Sequence, residues 1–373
     1  MSRLNELIQK LCPDGVEYDT IKKAVGVNRG KRLTKSQLSD NGRYEVYHGS
    51  KDRILGKYNE YNAPANTVIV INTGGIGGVK FLDKPFWCSD GSFWLGQSTR
   101  INNKYLYYYL SGYENYFYSQ KRIGGVPTIE RRVVEDFEIP VPPLDVQNEI
   151  VRILDTFTSH TAELQAELQA ELQARKEQYE YYRNKLLTFD KDDKDVKWVK
   201  LKEYAEIGTG SSNTQDELSI GLYPFFVRSQ IVRRNNEYEF DETAIITSGD
   251  GVGVGKIFHY VEGKYALHQR AYRIHVLNEK IIPKFLFHYM RCKFYNYITK
   301  NAYTSSVTSI RKPMLLNFPI PILSMSEQQR IVSILDKFES LVNNLTEGIP
   351  AEIAAVQEQY EYYRNKLLTF KQK

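Results

Sequence analysis

The string EQYEYYRNKLLTF runs from Glu177 to Phe189 and returns without a change from Glu358 to Phe370. The offset of 181 residues aligns a second block, in which Gln147, Ile150-Val151, Ile153-Leu154-Asp155 and Phe157 fall on Gln328, Ile331-Val332, Ile334-Leu335-Asp336 and Phe338. It also sets Ile139-Pro140-Val141 on Ile320-Pro321-Ile322, and Ile129 on Ile310. Identity over the first string, in register with two further blocks, means a tandem duplication of a unit of roughly 180 residues. The whole chain, 373 residues, has room for two such units and little else.

Around these blocks the pattern is helical. Ile150, Ile153, Leu154, Phe157 and Leu164 recur at three and four residues, as do Ile331, Ile334, Leu335, Phe338, Leu341, Val342 and Leu345. Pro142-Pro143 marks the entry to the first helical region, and Ser324 or Ser326 can cap the second. Between the blocks of the first region lies AELQAELQAELQA, Ala162 to Ala174, made of strong helix formers. A single helix from Asp145 to Thr188 would be about 65 Å long at ~1.5 Å per residue. The second region carries Gly348-Ile349-Pro350, and proline suits the first turn of a new helix but not a helix interior. Two helices are therefore expected there, broken near Glu347 to Pro350. A long helix with a narrow apolar stripe needs a partner. The duplicated region supplies one, as an antiparallel coiled-coil stalk.

The N-terminal part of each unit reads as mixed, mainly β structure. Thr67 to Ile71 and Thr243 to Thr247 are short β-rich runs, each followed by a glycine-dense turn, at 72–78 and 247–256. A helix is expected later in each part, near Tyr105 to Tyr118 and Pro283 to Lys300. The predicted fold is α+β: globular parts at 1–143 and 191–325, and helical spacers at 144–190 and 326–373, related by a pseudo-two-fold duplication.

Composition bounds the function. Hydrophobic residues at 42% and charged residues at 25% exclude a mostly disordered chain. The strongest apolar run, Val68 to Ile71, is far too short to span a bilayer, and the N-terminus has no signal-peptide pattern, so a cytoplasmic protein without membrane contact is expected. Three scattered cysteines, Cys12, Cys88 and Cys292, argue against a disulfide scaffold or structural zinc. The net charge of the four segments in order is +5, −4, +5 and −1, so the globular parts favour a polyanion and the spacers do not.

Catalytic motifs are missing. Gly255-Lys256 ends a glycine run, but Asp250 and Ile257 stand where a phosphate loop needs glycine and Ser or Thr. The six histidines form no HExxH or Cys/His cluster, and no methyltransferase or nuclease signature is present. A chain that is not itself an enzyme is expected, with no metal or cofactor of its own.

Side-chain types that hydrogen-bond base edges or phosphates do cluster in the globular parts. In the first they are Lys31-Arg32, His48-Gly49-Ser50-Lys51 with Arg53, and Thr73-Gly74-Gly75. In the second they are Arg228-Ser229-Gln230, Arg233-Arg234, Ser248-Gly249-Asp250 and His268-Gln269-Arg270. On the spacers, Tyr179, Tyr181, Tyr182 and Arg183 recur as Tyr360, Tyr362, Tyr363 and Arg364. They occupy more than one helix face, and tyrosine favours protein interfaces, so two copies of a partner are expected on two copies of the patch.

In this order of parts the chain resembles the specificity subunit of type I restriction-modification systems, the HsdS family. The carriers are two dissimilar globular parts, each closed by an Ile-Pro-hydrophobic segment, a Gln-x-x-Ile-Val-x-Ile-Leu-Asp helix start and a Tyr-Glu-Tyr-Tyr-Arg-Asn-Lys-Leu-Leu helix end. The run from Thr161 to Ala174 resembles the tetrapeptide central repeat of one branch of that family. The resemblance covers essentially the whole chain. It implies that each globular part is a target recognition domain and that the pair reads an asymmetric, bipartite double-stranded DNA target. It implies two modification subunits on the helices, which use S-adenosylmethionine to methylate adenine N6 of a flipped base. It further implies restriction subunits that use ATP and Mg. Two alternatives remain at this point: an orphan DNA-binding module without an active methyltransferase, and a protein scaffold without a DNA role.

Overall fold

The protein is described by a computed structural model over residues 3–122, 124–190, 192–300, 309–343 and 348–373. It divides into two compact units. One is Met1–Glu167 with Ile353–Lys373, and the other is Leu168–Glu352. Each unit holds one globular part and one stretch of each helical spacer.

In the first unit a two-stranded antiparallel sheet pairs Glu17–Thr20 with Glu138–Val141, the first of the Ile-Pro segments. A second sheet runs in the order Val27–Arg29, Ser92–Leu95, Thr67–Ile71, Val79–Leu82, and a third in the order Gly56–Tyr58, Tyr44–Tyr47, Trp87–Cys88. The run Thr67–Ile71 is buried at every residue, as a β-branched strand covered on both faces must be. Against this sheet lies the helix Asn103–Ser111, whose first turn is closed by the Asn102 side chain accepting from the backbone N–H of Lys104 and Tyr105. The expected single helix to Tyr118 is instead two. Asn103–Ser111 stops at Gly112, and Glu114–Ser119 starts anew.

The second unit repeats this plan with little shared sequence. Lys197–Lys200 pairs with Pro319–Ile322. A six-stranded sheet follows the order Ala205–Thr209, Ala271–Val276, Phe240–Ser248, Phe258–Leu267, Tyr223–Phe226, Arg233–Asn235. The strand Phe258–Leu267 occupies the course of two strands in the first unit, Val79–Leu82 and Trp87–Cys88. There Pro85, which has no N–H to give a ladder, lies in the gap between them. Register is otherwise kept. Tyr47 opposes Cys88 as Phe226 opposes Leu267, and Ile71 opposes Ser92 as Ser248 opposes Ala271. The helix Pro283–Lys300 has the bounds expected of it.

The first spacer is one helix, Leu144–Leu186, and the second is two, Met325–Asn343 and Ile349–Leu368, with Pro350 in the first turn of the latter. Leu345 and Glu347 lie outside the described residues. Ser324 caps Met325–Asn343, its Oγ accepting from the Glu327 N–H at 3.3 Å. Within the first unit the pairing is antiparallel: Thr158 Oγ1 meets Tyr360 Oη at 3.1 Å, and Gln165 Nε2 donates to Gln357 Oε1 at 3.2 Å. Within the second, Tyr182 stacks on Phe338 with ring centroids 5.6 Å apart. The cores continue from sheet to spacer, through Val70, Tyr105, Ile150, Leu154 and Leu368 in one unit, and Ile245, Phe285, Ile331, Leu335 and Leu187 in the other. Among the described residues no helix is long and apolar enough to cross a membrane.

Candidate nucleic-acid and partner interfaces

The polar candidates of the first unit lie on loops at the strand ends, and several of them meet. His48 follows the strand Tyr44–Tyr47, and its Nδ1 contacts Ser89 Oγ at 3.2 Å and Asp90 Oδ1 at 3.3 Å and accepts from the Gly91 N–H. Gly49 O accepts from the Gly75 N–H at 2.8 Å, which joins this loop to the glycine run. The run has two jobs. Gly74 and Gly75 are exposed beside Gly49, whereas a Cβ on Gly77 would stand 2.7 Å from Glu114 O, so that end is packing. Gly255 plays the same packing role in the second unit, against Ile298 and Tyr295. Thr73 Oγ1 faces Thr128 Oγ1 at 3.2 Å. Lys51 is not a free cation: Nζ binds both Glu114 carboxylate oxygens, at 2.7 and 2.9 Å. Ser50 accepts from the N–H groups of Asp52 and Arg53 and shapes its own turn. Lys31, Arg32 and Arg53 are exposed, and the Lys31 backbone is fixed by Cys88 O and by the Trp87 indole N–H.

In the second unit a cleft is lined by Arg228, Ser229, Gln230, Arg233 and Asp250, and by Thr214 and Glu217, which residue type alone did not suggest. Arg228 Nη1 donates to Asp250 Oδ1 at 2.6 Å, and Arg270 Nη1 reaches Asp250 Oδ2 at 3.4 Å. Arg233 Nη1 binds Glu217 at 2.9 Å, while Arg234 beside it is exposed. Ser248 and His268 are buried and bond within the loops. Ser248 Oγ donates to Asp250 O, and His268 Nδ1 accepts from the Arg270 N–H at 3.0 Å. Burial, then the Arg228 and Arg270 guanidiniums, hold the His268 pKa below the usual histidine value. Gly249 is buried, its N–H donating to Arg270 O, and exposed Gln269 bonds Asn213.

The spacer patches come out alike in both units. Tyr181 and Tyr362 are each 60% exposed, and each leans edge-on against its neighbour, Tyr182 or Tyr363, at 5.3 and 5.2 Å. Lys185 and Lys366 lie over Tyr181 and Tyr362, both at 5.8 Å, and extend the patch by a cation not among the sequence candidates. Tyr179 and Arg364 do not belong to the exposed face. Tyr179 is buried in the core of its unit, and Arg364 is buried and bonded to Asn365. Arg183 lies over the Tyr179 ring and pairs with Glu180, and Tyr360 is half-buried, its hydroxyl on Thr158. Periodicity could not separate these because the exact repeat carries inward and outward residues together.

Among the described residues one His/Asp/Glu group, His288, Asp336 and Glu339, is close enough to hold a metal. Its ligand atoms are already engaged, His288 Nε2 with Asp336 at 2.7 Å and Glu339 with Arg291 at 2.6 Å. The group ties the helix Pro283–Lys300 to Met325–Asn343. The first unit makes the same tie with Tyr108 and Lys104, at 2.6 and 2.8 Å from Asp155.

The family model described as "Type I restriction modification DNA specificity domain" matches twice, over residues 13–174 and 193–355. The chain is 30% identical to the EcoR124I/EcoR124II type I restriction enzyme specificity subunit of Escherichia coli, over 99% of this chain and 97% of that one. It is 29% identical to a putative type I restriction enzyme specificity subunit of Haemophilus influenzae, over 92% of each. Among solved structures, a chain from a study of assembly and conformational transition of the type I restriction-modification system shares the fold at a TM-score of 0.68 and 15% identity, covering 95% of this chain and 98% of that one. The HsdS subunit of Thermoanaerobacter tengcongensis does so at 0.55 and 15%, over 95% and 97%.

Proposed function

The chain belongs to the type I restriction-modification DNA specificity family, and from that premise we propose that it is the DNA-reading, non-catalytic subunit of a type I restriction-modification complex. One contrast carries the reading. The two units keep one strand register yet present different side chains on the equivalent loops, whereas their spacers present the same tyrosine pair. Dissimilar loops suit two dissimilar halves of an asymmetric DNA target. Identical patches suit two copies of one partner.

In this reading residues 1–143 and 191–325 are the two target recognition domains, and the spacers at 144–190 and 326–373 carry two modification subunits and fix the separation of the half-sites. Those subunits would bring S-adenosylmethionine and the adenine-N6 transfer. Restriction subunits would bring ATP and Mg, and the complex would work on DNA in the cytoplasm. The DNA-facing set is drawn from exposed candidates: Lys31, Arg32, Arg53, Gly74 and Gly75 in the first unit, and Arg228, Gln230, Arg234, Gln269 and Arg270 in the second. The partner-facing set is Tyr181, Tyr182, Tyr362 and Tyr363.

The test is a map of N6-methyladenine in cells with and without this gene. A bipartite motif with one fixed spacer should vanish on deletion, and exchange of residues 191–325 should change one half of it. An unchanged map refutes the proposal. Failure to co-purify with a methyltransferase would favour the orphan reading.

A further inference from the structure

Strand register superposes the reading loops of the two units residue by residue. Tyr47 and Cys88 correspond to Phe226 and Leu267, and the next N–H, of Ser89 or His268, bonds Tyr47 O or Phe226 O in each. Ser92 and Ala271 close the same turn, on Ser89 O and His268 O. Thr73 bridges Thr128 as Asp250 bridges Ser309. Gly49, Thr73 and Gly91 of the first unit therefore hold the places of Arg228, Asp250 and Arg270 in the second.

The chemistry at these three places is opposite. In the first unit a Cβ on Gly49 would stand 2.6 Å from Thr73 O, and one on Gly91 would stand 2.7 Å from His48 Nδ1. Gly49 is closed off by the Thr73 backbone and Gly91 by the His48 ring, so neither glycine position has room for a side chain. In the second unit two guanidiniums converge on one carboxylate, and the carboxylate is the more withdrawn: the Asp250 side chain is 28% exposed, against 39% for Arg228 and 61% for Arg270. Each arginine spends Nη1 on Asp250, and the rest of its planar fork is left for a ligand.

Resting on the functional reading above, we propose that Arg228 and Arg270 read guanine in the half-site of the second unit, and that Asp250 is a positioning residue which sets their forks side by side without touching a base. The physical argument is pairing geometry. Arginine's rigid fork donates bidentately to guanine O6 and N7, and the compact ammonium of lysine does not reproduce that fork at a bidentate site. Two guanidiniums this close repel unless a carboxylate lies between them. A carboxylate set below them screens that repulsion and limits their rotamers.

The experiment is the same methylation map, made with the complete system carrying Arg228→Lys, Arg270→Ala or Asp250→Asn, with the chain's co-purification and melting as controls. In the wild type, the half-site that changes on exchange of residues 191–325 should contain a G·C pair. Arg228→Lys and Arg270→Ala should lower discrimination at such a pair by about 10- to 100-fold. Asp250→Asn should act in the same direction but less, and the other half-site should stay unchanged. A half-site with no G·C pair overturns the proposal, as does retained guanine preference in Arg228→Lys and Arg270→Ala. Uniform loss of methylation in a variant that still assembles and melts normally also overturns it, because that marks a phosphate contact. A wild-type map with no bipartite motif refutes the functional reading itself and this inference with it, and is told apart because no variant is needed to see it.

Discussion

Replacing Gln147 or Gln328 with alanine is expected to loosen the seat of the spacer on its globular part. Both side chains are fully buried. Gln147 Oε1 accepts from the Asn102 N–H at 2.8 Å, and its Nε2 donates to Arg100 O at 2.9 Å and Pro142 O at 2.7 Å. Gln328 repeats the arrangement with the Ile282 N–H at 2.8 Å, Lys280 O at 2.9 Å and Leu323 O at 3.0 Å. One amide thus joins the spacer, the loop ahead of the packing helix and the segment after the Ile-Pro strand. Each bond contributes roughly 1 kcal/mol net, and a buried group left unpaired costs about 1–3 kcal/mol, so truncation should cost on the order of 3 kcal/mol or more. For a unit of this size that is a fall of about 6–12 °C in Tm. Calorimetry on the full chain measures it, with glutamate at the same position as a second probe. Glutamate keeps the shape but turns acceptors toward two carbonyl oxygens, so it should be no better than alanine. A Tm within 2 °C of wild type for both alanine variants would show that water replaces the amide and that the clamp is not structural.

Inserting one Ala-Glu-Leu-Gln unit between Ala162 and Ala174 lengthens the helix Leu144–Leu186 by about 6 Å and turns it ~40° past a full turn; the spacer of the methylated motif should change while both half-sites stay, and a fixed spacer refutes a helical ruler. Burial holds His259, His268 and His288 of the second unit below the usual histidine pKa. The unfolded chain then takes up protons first as pH falls below about 6.5, so stability present above that value is lost below it. The second unit should melt lower at pH 5.5 than at pH 7.5, with a smaller difference in His268→Gln; equal melting at both pH values would count against it. Tyr181→Asp with Tyr362→Asp should abolish co-purification of a methyltransferase subunit without changing Tm, because both side chains are exposed; retention of the partner would move the interface elsewhere.

The helices and the central strand of the first unit were legible because their signals are local. An exact repeat, a proline in a first turn at Pro350 and the run Thr67–Ile71 each state their structure within a few residues. Gly112 and Pro85 are equally local breakers. Their effect was missed because the tyrosine spacing carries on past Gly112, and because Pro85 interrupts a strand recognisable only from its intact counterpart, Phe258–Leu267. The site was less legible, for a different reason. Residue type selects groups able to bind DNA, but availability depends on partners distant in sequence. Glu114 engages Lys51, and Asp250 joins Arg228 to Arg270. No spacing rule connects those positions. Tyr179 and Tyr181 are two residues apart on one helix, and the fold sends one to the core and the other to solvent.

This pairing sets how strongly DNA affinity should depend on salt. Of the cationic candidates, Lys51, Arg228, Arg233 and Arg270 each lie against a carboxylate, whereas Lys31, Arg32, Arg53 and Arg234 have no acidic partner among the described residues. A cation already neutralised by its neighbour displaces little of the counterion atmosphere of DNA, and only unpaired cations contribute their full share, about 0.9 of a unit of log–log slope each. Removing Arg53 and Arg234 together should therefore lower the slope of log affinity against log salt by roughly 2. Removing Lys51 and Arg233 should lower it by much less, and at the cost of uncovering Glu114 and Glu217. Binding of the assembled complex to its own target at several salt concentrations separates the two pairs. If both double variants flatten the slope equally, the ion pairs open on binding, and the count of cations in the sequence is a better guide to the interface than their partners in the free protein.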